Sequence, residues 1–378
     1  MKLDPFLLER YFAQHEFSAP HNLASSDCGG LAMGWLLERA DAQTHDLWQN
    51  LRLGYTESQG LPLLRAEVAR SYAPTTAPPH RLHPDQVLLS APEEAIFIAM
   101  NCLLAPGDHV VCTFPGYQSL YQVAESLGCE VSRWEPVEED GWRFDPRRLE
   151  ELLRPNTRLV ICNFPHNPTG YLPPAGDWRR MVSLARERDL YLFSDEMYRW
   201  LELDPSDRLS TAAELYEKAI VLCGMSKSFG LPGLRLGWLV IQDEGLLREM
   251  AAFKDYTTIC SSAPSEILSL IALRAHEEIL AMHRARISRN LSRLDAFLAA
   301  HSATFSWNRP RAGTIGFLRL VTGESSLAFC DRVLREAGVM LLPSSVYGYD
   351  DHHLRIGFGR EDLPVALGKL DEYLQHSL

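Results

Sequence analysis

Leu159-Val160-Ile161-Cys162-Asn163-Phe164-Pro165-His166-Asn167-Pro168-Thr169-Gly170 is the stretch on which the reading of the chain turns. Four consecutive apolar residues leave no polar side for water, so they read as a short strand buried on both faces. The strand stops at Asn163 because Asn-Pro and Thr-Gly, which follow, are turn formers. The same pattern recurs outward in both directions. Val87–Ser90, His109–Phe114, Glu130–Trp134, Leu190–Ser194, Ala219–Cys223 and Leu236–Ile241 are short runs separated by helix-like stretches. Strands joined by helical crossovers predict a largely parallel sheet. Ligands of such sheets bind beyond the C-terminal ends of the strands, so the residues that follow each run are the candidates for chemistry.

Composition agrees with a globular α/β chain. The 378 residues are 46% hydrophobic and 23% charged, with 24 Gly and 23 Pro, which argues against disordered, collagen-like and disulfide-scaffold classes. At about 150 residues per domain, two domains or one large core with an appendage are expected. Lys+Arg 37 against Asp+Glu 49 gives −12, a balance that disfavours non-specific binding to nucleic acid or anionic lipid but permits a local pocket for one phosphate. The eight cysteines form no Cys-x-x-Cys pair. Cys112, Cys162 and Cys223 lie in apolar runs as small hydrophobes, and a reducing compartment is expected. Met1-Lys2-Leu3-Asp4-Pro5 has acids and a proline where a signal peptide needs apolar residues, and no apolar stretch reaches about 18 residues. The expectation is a cytoplasmic protein without a membrane span.

Ala73–Pro84, rich in Pro, Thr and His, reads as a weak linker. From Glu277 the pattern becomes a long helix, with Leu280, Ile287, Leu291, Leu294 and Leu298 on one stripe. Arg284, Arg286, Arg289 and Arg293 are interleaved with it and read as a solvated face. Thr314–Leu320, Val339–Leu342 and Leu354–Gly357 read as strands of a smaller α+β unit. The expected division is an N-terminal segment 1–40 packing with the small domain, a large domain 41–275, and a C-terminal domain 276–378.

The strand after the quoted one ends in Ser194-Asp195-Glu196-Met197-Tyr198, which puts a carboxylate at the sheet's C-terminal edge. The next ends in Gly224-Met225-Ser226-Lys227 and continues through Gly230-Leu231-Pro232-Gly233-Leu234-Arg235-Leu236-Gly237. A lysine at the mouth of a parallel sheet, beside glycines that let backbone approach a ligand, is unusual as mere solvation.

In this order the motifs resemble those of the fold-type I pyridoxal-phosphate enzymes, specifically the class I/II aminotransferases. The likeness covers nearly the whole chain: Tyr55 before Gly60, Leu64 and Arg65; Pro115-Gly116-Tyr117; His166 to Gly170; Asp195 with Tyr198; Ser226-Lys227; Gly233-Leu234-Arg235-Leu236-Gly237; and Leu354-Arg355-Ile356-Gly357. The resemblance implies an α/β fold with a mostly parallel seven-stranded sheet in a large domain plus a smaller α+β domain, pyridoxal 5'-phosphate as cofactor, and a homodimer. It implies that Lys227 bonds to the cofactor aldehyde and later shuttles the α-proton. Asp195 keeps the pyridine nitrogen protonated, Asn167 and Tyr198 reach the phenolic oxygen, and Tyr117 stacks on the ring. Arg235 grips the phosphate, Ser226 lies among the cofactor contacts, and Tyr55 touches the phosphate from a neighbouring subunit. Arg355, with Asn167 beside it, clamps the substrate α-carboxylate.

Two positions depart from the family. Gly224 stands where a phosphate-binding Ser is usual, and the phosphate loop reads Ser90-Ala91-Pro92-Glu93-Glu94. Ala91, Pro92 and Glu93 remain cofactor contacts on this resemblance. Pro92 has no N–H to give but suits the first turn of a helix, whose other N–H groups can hold an anion. Glu93 fits beside a phosphate only with its side chain turned to solvent. Elsewhere, His352-His353 reads as a surface loop rather than a metal site, for want of a spaced third ligand. Glu196 and Arg199 read as scaffold, and His166 as support for the ring or for its neighbours. Arg309 and Arg311 stand open between surface and substrate roles.

The commonest reaction of this motif set is amino transfer between an L-amino acid and a 2-oxo acid. Asn163 to Pro168, Gly230 to Arg235 and Lys254-Asp255-Tyr256-Thr257-Thr258 resemble more closely the capreomycidine synthases, which eliminate and cyclise a hydroxylated arginine with the same cofactor. Asp27, in Asn22-Leu23-Ala24-Ser25-Ser26-Asp27, lies where relatives cover the substrate; it reads as a turn or cap, or as the partner of a cationic substrate side chain. A third reading is a regulator that senses ligand through such a domain. It needs a basic DNA-binding domain ahead of the fold, and the segment before Tyr55 holds only Lys2, Arg10, Arg39 and Arg52.

Overall fold

The structure, a computed structural model, describes residues 2–72 and 82–377, so most of the linker expected at Ala73–Pro84 lies outside the described residues. The chain opens with helix α1 (Leu7–His15) and a two-residue strand, β1 (His21–Asn22). The strands of the large sheet follow: β2 (Val87–Ser90), β3 (His109–Thr113), β4 (Glu130–Trp134), β5 (Thr157–Asn163), β6 (Tyr191–Asp195), β7 (Ala219–Gly224) and β8 (Gly237–Ile241). Each lies within two residues of its apolar run. Their spatial order is β2-β8-β7-β6-β5-β3-β4. All neighbours from β4 to β7 are parallel, and β8 is antiparallel to both β7 and β2.

The quoted strand alternates as a pleated strand must. Leu159 and Ile161 join one buried cluster with Ile96, Val110 and Phe193, while Val160 and Cys162 join the cluster on the other face with Val111 and Leu192. Apolar side chains buried so completely are worth about 1.5–3 kcal/mol each relative to exposure. In register, Asn163 is the partner of Asp195, and Asp195 the partner of Leu222. The strand ends that carry the candidate residues are therefore side by side.

The smaller domain packs helix α3 (His276–Ala300) against β9 (Phe305–Trp307), β10 (Ile315–Leu320), β12 (Leu342–Pro343) and β13 (His353–Gly357), an antiparallel sheet of order β12-β13-β10-β9. The expected strand Val339–Leu342 is in fact two. Val339–Met340, β11, pairs in parallel with β1, and only Leu342–Pro343 joins β13. The chain's N-terminal segment is thus tied by backbone hydrogen bonds to residues more than three hundred positions later. The leucine stripe of α3 is buried as expected. Its arginine face is not wholly solvated: Arg286 donates to the Cys28 carbonyl at 2.7 Å and Arg284 to that of Trp200 at 3.4 Å.

Candidate active site

A cavity of ≈ 360 Å³ opens at the C-terminal ends of β5, β6 and β7. It gathers Lys227, Asp195, Tyr198, Asn167, Tyr117, Arg235, Pro92, Glu93, Ser226, Arg355 and Asp27 into one lining. Ala91 stands just outside, at the start of helix α2 (Pro92–Leu103). Tyr55 is 90% exposed and takes no part in this cavity.

Three short turns do the positioning. After β5, Asn163 Oδ1 accepts the Asn167 N–H at 2.8 Å and so closes the Asn-Pro turn. Asn167 Oδ1 then accepts from Tyr347 Oη at 3.0 Å and from Arg355 Nη1 at 3.1 Å. Arg355, on β13 and 1% exposed, also donates to Tyr347 Oη at 2.8 Å and to the Ala24 carbonyl at 2.7 Å. Its Nε has no partner. After β6, Asp195 Oδ1 accepts the Met197 N–H at 3.0 Å, the one hydrogen bond to its carboxylate among the described residues. Burial in this dry floor raises its pKa to about 7, although Met197 and the Lys227 charge pull the other way. Tyr198 Oη donates to the Ser26 carbonyl at 3.2 Å. After β7, Lys227 Nζ donates to Ser26 Oγ at 2.7 Å. Burial lowers its pKa from the ordinary lysine value against the nearby Asp27 charge.

Around the rim, Tyr117 Oη donates to Glu9 at 2.9 Å and its ring meets Phe6 at 4.9 Å between centroids. Arg235 is exposed, in the left-handed region at φ 50, and donates to the Pro232 carbonyl at 3.0 Å. Glu94 occupies the cap of α2, accepting from Ser90 Oγ at 2.7 Å and from the Ala91 N–H at 3.4 Å. The first-turn N–H groups of Glu93 and Glu94 have no partner within the helix. Glu93 does not turn to solvent as its place beside a phosphate required. It lines the cavity, 3.5 Å from Ser119 Oγ, and burial raises its pKa against the hydrogen bonds of Tyr117 and Ser119. The glycine at 224 also has a physical cause. A Cβ there would lie 2.9 Å from Gly237 Cα and 3.1 Å from the Leu236 carbonyl oxygen, so the backbone at the start of β8 leaves no room for a serine side chain.

One wall of the cavity joins a helix that sequence reasoning missed to the strap, Asn22 to Asp27, that it placed over the substrate. Leu8, Glu9 and Phe12 come from α1, and Glu16 from just beyond it; Ser25 and Ser26 come from the strap after β1. Asp27 is in the lining, but Arg360 holds both its oxygens at 2.9 and 3.0 Å, and it also accepts the Gly29 N–H at 2.8 Å. His353 corrects the surface-loop reading: it is fully buried between Asp350 at 2.6 Å and Glu138 at 3.1 Å, stacked on Phe317, while His352 is exposed. Arg309 and Arg311 pair with Asp295 and Asp207 away from the site. His166 bonds Thr169, and Glu196 with Arg199 forms a buried pair at 3.1 Å.

The unmet groups fit a flat, anionic-tailed cofactor. Ser226 Oγ is buried with no partner among the described residues, and it shares the cavity lining with Pro92 and Glu93 of the first turn of α2, an arrangement that suits a phosphate. Asp195 lacks a cation, which a protonated pyridine nitrogen would provide. Sheet topology and site together define a pyridoxal-phosphate enzyme of fold type I. The chain belongs to the aminotransferase class I and II family, whose family model matches residues 20–370. Among its relatives, a capreomycidine synthase of Streptomyces vinaceus is 30% identical over 378 residues, 98% of this chain and 93% of its own. An arginine–pyruvate transaminase of Pseudomonas aeruginosa is 28% identical over 327 residues, 84% of this chain and 81% of its own. The crystal structure of a PLP-dependent aminotransferase from Streptococcus suis superposes with a TM-score of 0.91 at 30% identity, covering 100% of this chain and 99% of that one.

Proposed function

We propose that this enzyme transfers an amino group between an L-amino acid and a 2-oxo acid, and that its amino donor carries a cationic side chain. The observation that carries the reading is the convergence of Lys227, Asp195 and Arg355 on one cavity whose remaining wall is acidic. Bound pyridoxal phosphate supplies the electron sink that makes the substrate α-proton removable. Asp195 would hold the ring nitrogen's proton, Asn167 and Tyr198 would serve the phenolic oxygen, and Ser226, Arg235 and the α2 N-terminus would hold the phosphate. Arg355 would bind the α-carboxylate, and Lys227 Nζ, in the same cavity, would be the nitrogen that takes up and returns the α-proton.

Charge decides the side-chain class. The lining has carboxylates at Glu9, Glu16, Asp27, Glu93 and Asp195 against cations at Lys227, Arg235 and Arg355. Asp195 and the three cations have cofactor or α-carboxylate partners in this reading, and Asp27 is taken by Arg360. Glu16 lies 3.9 Å from the same Arg360, and Glu9 accepts only a tyrosine hydroxyl. A guanidinium about 4 Å from one carboxylate gains about 4 kcal/mol at an effective dielectric near 20, before desolvation. An arginine-like donor fits this wall better than an acidic or apolar one. The same wall favours a second reading, elimination and cyclisation of a hydroxylated arginine, as the name of the Streptomyces relative suggests.

Borohydride treatment of the cofactor-loaded protein should fix the cofactor on Lys227, and Lys227→Ala should fold without that adduct. An adduct on another lysine overturns the site. Incubation with arginine and a 2-oxo acid should yield the amino acid of that oxo acid. Ring closure of hydroxyarginine without consumption of oxo acid would decide for the second reading. The cysteines, none of them disulfide-bonded, suit the reducing cytoplasm as the place of action. We further propose a homodimer that shares its active sites through Tyr55.

A further inference from the structure

We propose that Ser26 is a positioning residue: its hydroxyl holds the amine of Lys227 whenever that amine is free, and so fixes where the proton-carrying nitrogen stands. The inference rests on Lys227 being the cofactor lysine. Ser26 Oγ, at 2.7 Å, is the one hydrogen-bond acceptor of Lys227 Nζ among the described residues. A lysine stem has four rotatable carbons, and in a buried site its N–H groups are costly to leave without partners. A single well-placed acceptor takes one of those N–H groups and selects the rotamer of the stem.

The acceptor itself is held on every side. The Ser26 carbonyl receives Tyr198 Oη at 3.2 Å and Thr314 Oγ1 at 2.9 Å. The next residue, Asp27, is gripped by Arg360 at 2.9 and 3.0 Å. The strap lies flush on the chain that follows β13. A Cβ at Gly357 would come within 1.8 Å of the Ser25 carbonyl oxygen, and one at Gly359 within 2.3 Å of that of Asp27. A serine has one short side-chain torsion, so a fixed backbone fixes its hydroxyl to a few rotamers. Lys227 and Tyr198 leave different strands, β7 and β6, yet both are tied to this one residue. Burial keeps the lysine ready to lose its proton; Ser26 determines where it does so.

The test begins with cofactor-free protein, where the lysine is free. Competitive acetylation of Lys227 by acetic anhydride across pH, read by peptide mass spectrometry, gives the titration midpoint of the amine. Ser26→Ala removes an acceptor that favours the ammonium form, so its midpoint should fall by about one pH unit, tenfold in the protonation equilibrium. Ser26→Thr, which keeps a hydroxyl, should restore it. In the loaded enzyme Ser26→Ala should lower kcat with KM little changed, and raise the isotope effect of an α-deuterated amino donor. An unmoved midpoint in Ser26→Ala, with the borohydride adduct still on Lys227, overturns this role and leaves the lysine assignment standing. An equal loss in Ser26→Thr also overturns it, because packing of the strap would then be the cause. An adduct on a different lysine overturns both.

Discussion

Asp195 is a carboxylate that the protein alone does not satisfy, and this makes it measurable. Burial raises its pKa to about 7, against about 3.9 in an unfolded chain. Between those values the folded protein binds this proton and the unfolded chain does not. The stability that Asp195 contributes through that proton is therefore largest below about pH 4, falls as pH rises toward 7 and is gone above it. In cofactor-free protein, Asp195→Asn should gain in thermal midpoint over the native chain as pH is raised from 5 to 8. A gap that stays flat over that range would mean the carboxylate is not held in its acid form. Loading with cofactor should narrow the gap, since a protonated ring nitrogen gives the anion a partner. Turnover in Asp195→Ala should fall by about 10²–10³, the loss expected when a preorganised charge at the reacting centre is removed. Asp195, Lys227 and Asn167 were legible as candidates in the sequence because Asp195 follows an apolar run directly and the other two lie in the turns that end theirs. Their chain position and their place on the sheet edge are the same fact. His353 was not: its burial depends on Phe317, Asp350 and Glu138, which lie up to 215 residues away, and a local pattern such as Asp-Asp-His-His carries no trace of that.

At the level of elements, most strands of the large sheet could be read because burial on both faces makes a nearly unbroken apolar run; the edge strand β4, with Glu130, Ser132 and Arg133, lacks that signal. Helix α1 could not be read. Its N-cap is Phe6, with no capping side chain, and Leu7, Leu8, Tyr11 and Phe12 are interleaved with charge, so neither a start signal nor a long period stands out. The two-residue β1 has no pattern at all, and it is visible only through its pairing with β11. Yet α1 supplies the wall to which we assign side-chain preference. Leu8, Glu9, Phe12 and Glu16 fall on one helical face by the spacing of three to four residues. Glu9→Gln should lower kcat/KM for an arginine-like donor by about 30-fold, equivalent to about 2 kcal/mol for one lost charge partner in a partly dry site. It should leave a neutral amino donor nearly unaffected. Steady-state kinetics on matched donors check this, and an equal loss on both would remove α1 from substrate choice and leave it a structural role.

At the scale of the whole molecule, some of the exposed apolar side chains among the described residues lie together on two neighbouring loops. Leu53, Tyr55, Tyr256 and Ile259 are exposed at 86, 90, 90 and 49%. They sit on two loops bound to each other, since Lys254 Nζ donates to the Ser58 carbonyl at 2.9 Å and Thr56 Oγ1 to that of Ser261 at 3.0 Å. Apolar residues displayed on anchored loops mark an interface rather than a floppy edge. Two-fold closure is the commonest solution for identical chains, and it would carry each Tyr55 away from its own cavity and toward the partner's. Sedimentation should then give a dimer, and Tyr55→Phe should weaken phosphate retention and turnover. The decisive measurement mixes Lys227→Ala with Tyr55→Phe protein. After subunit exchange, each mixed dimer has one site with both changes and one with neither. If Tyr55 works across the boundary, the mixture regains activity beyond the sum of its parents. If it works within its own chain, every site keeps one defect and nothing is regained. A fully active monomer, or no regain after exchange has been verified with an impaired Tyr55→Phe parent, would rule out the shared site.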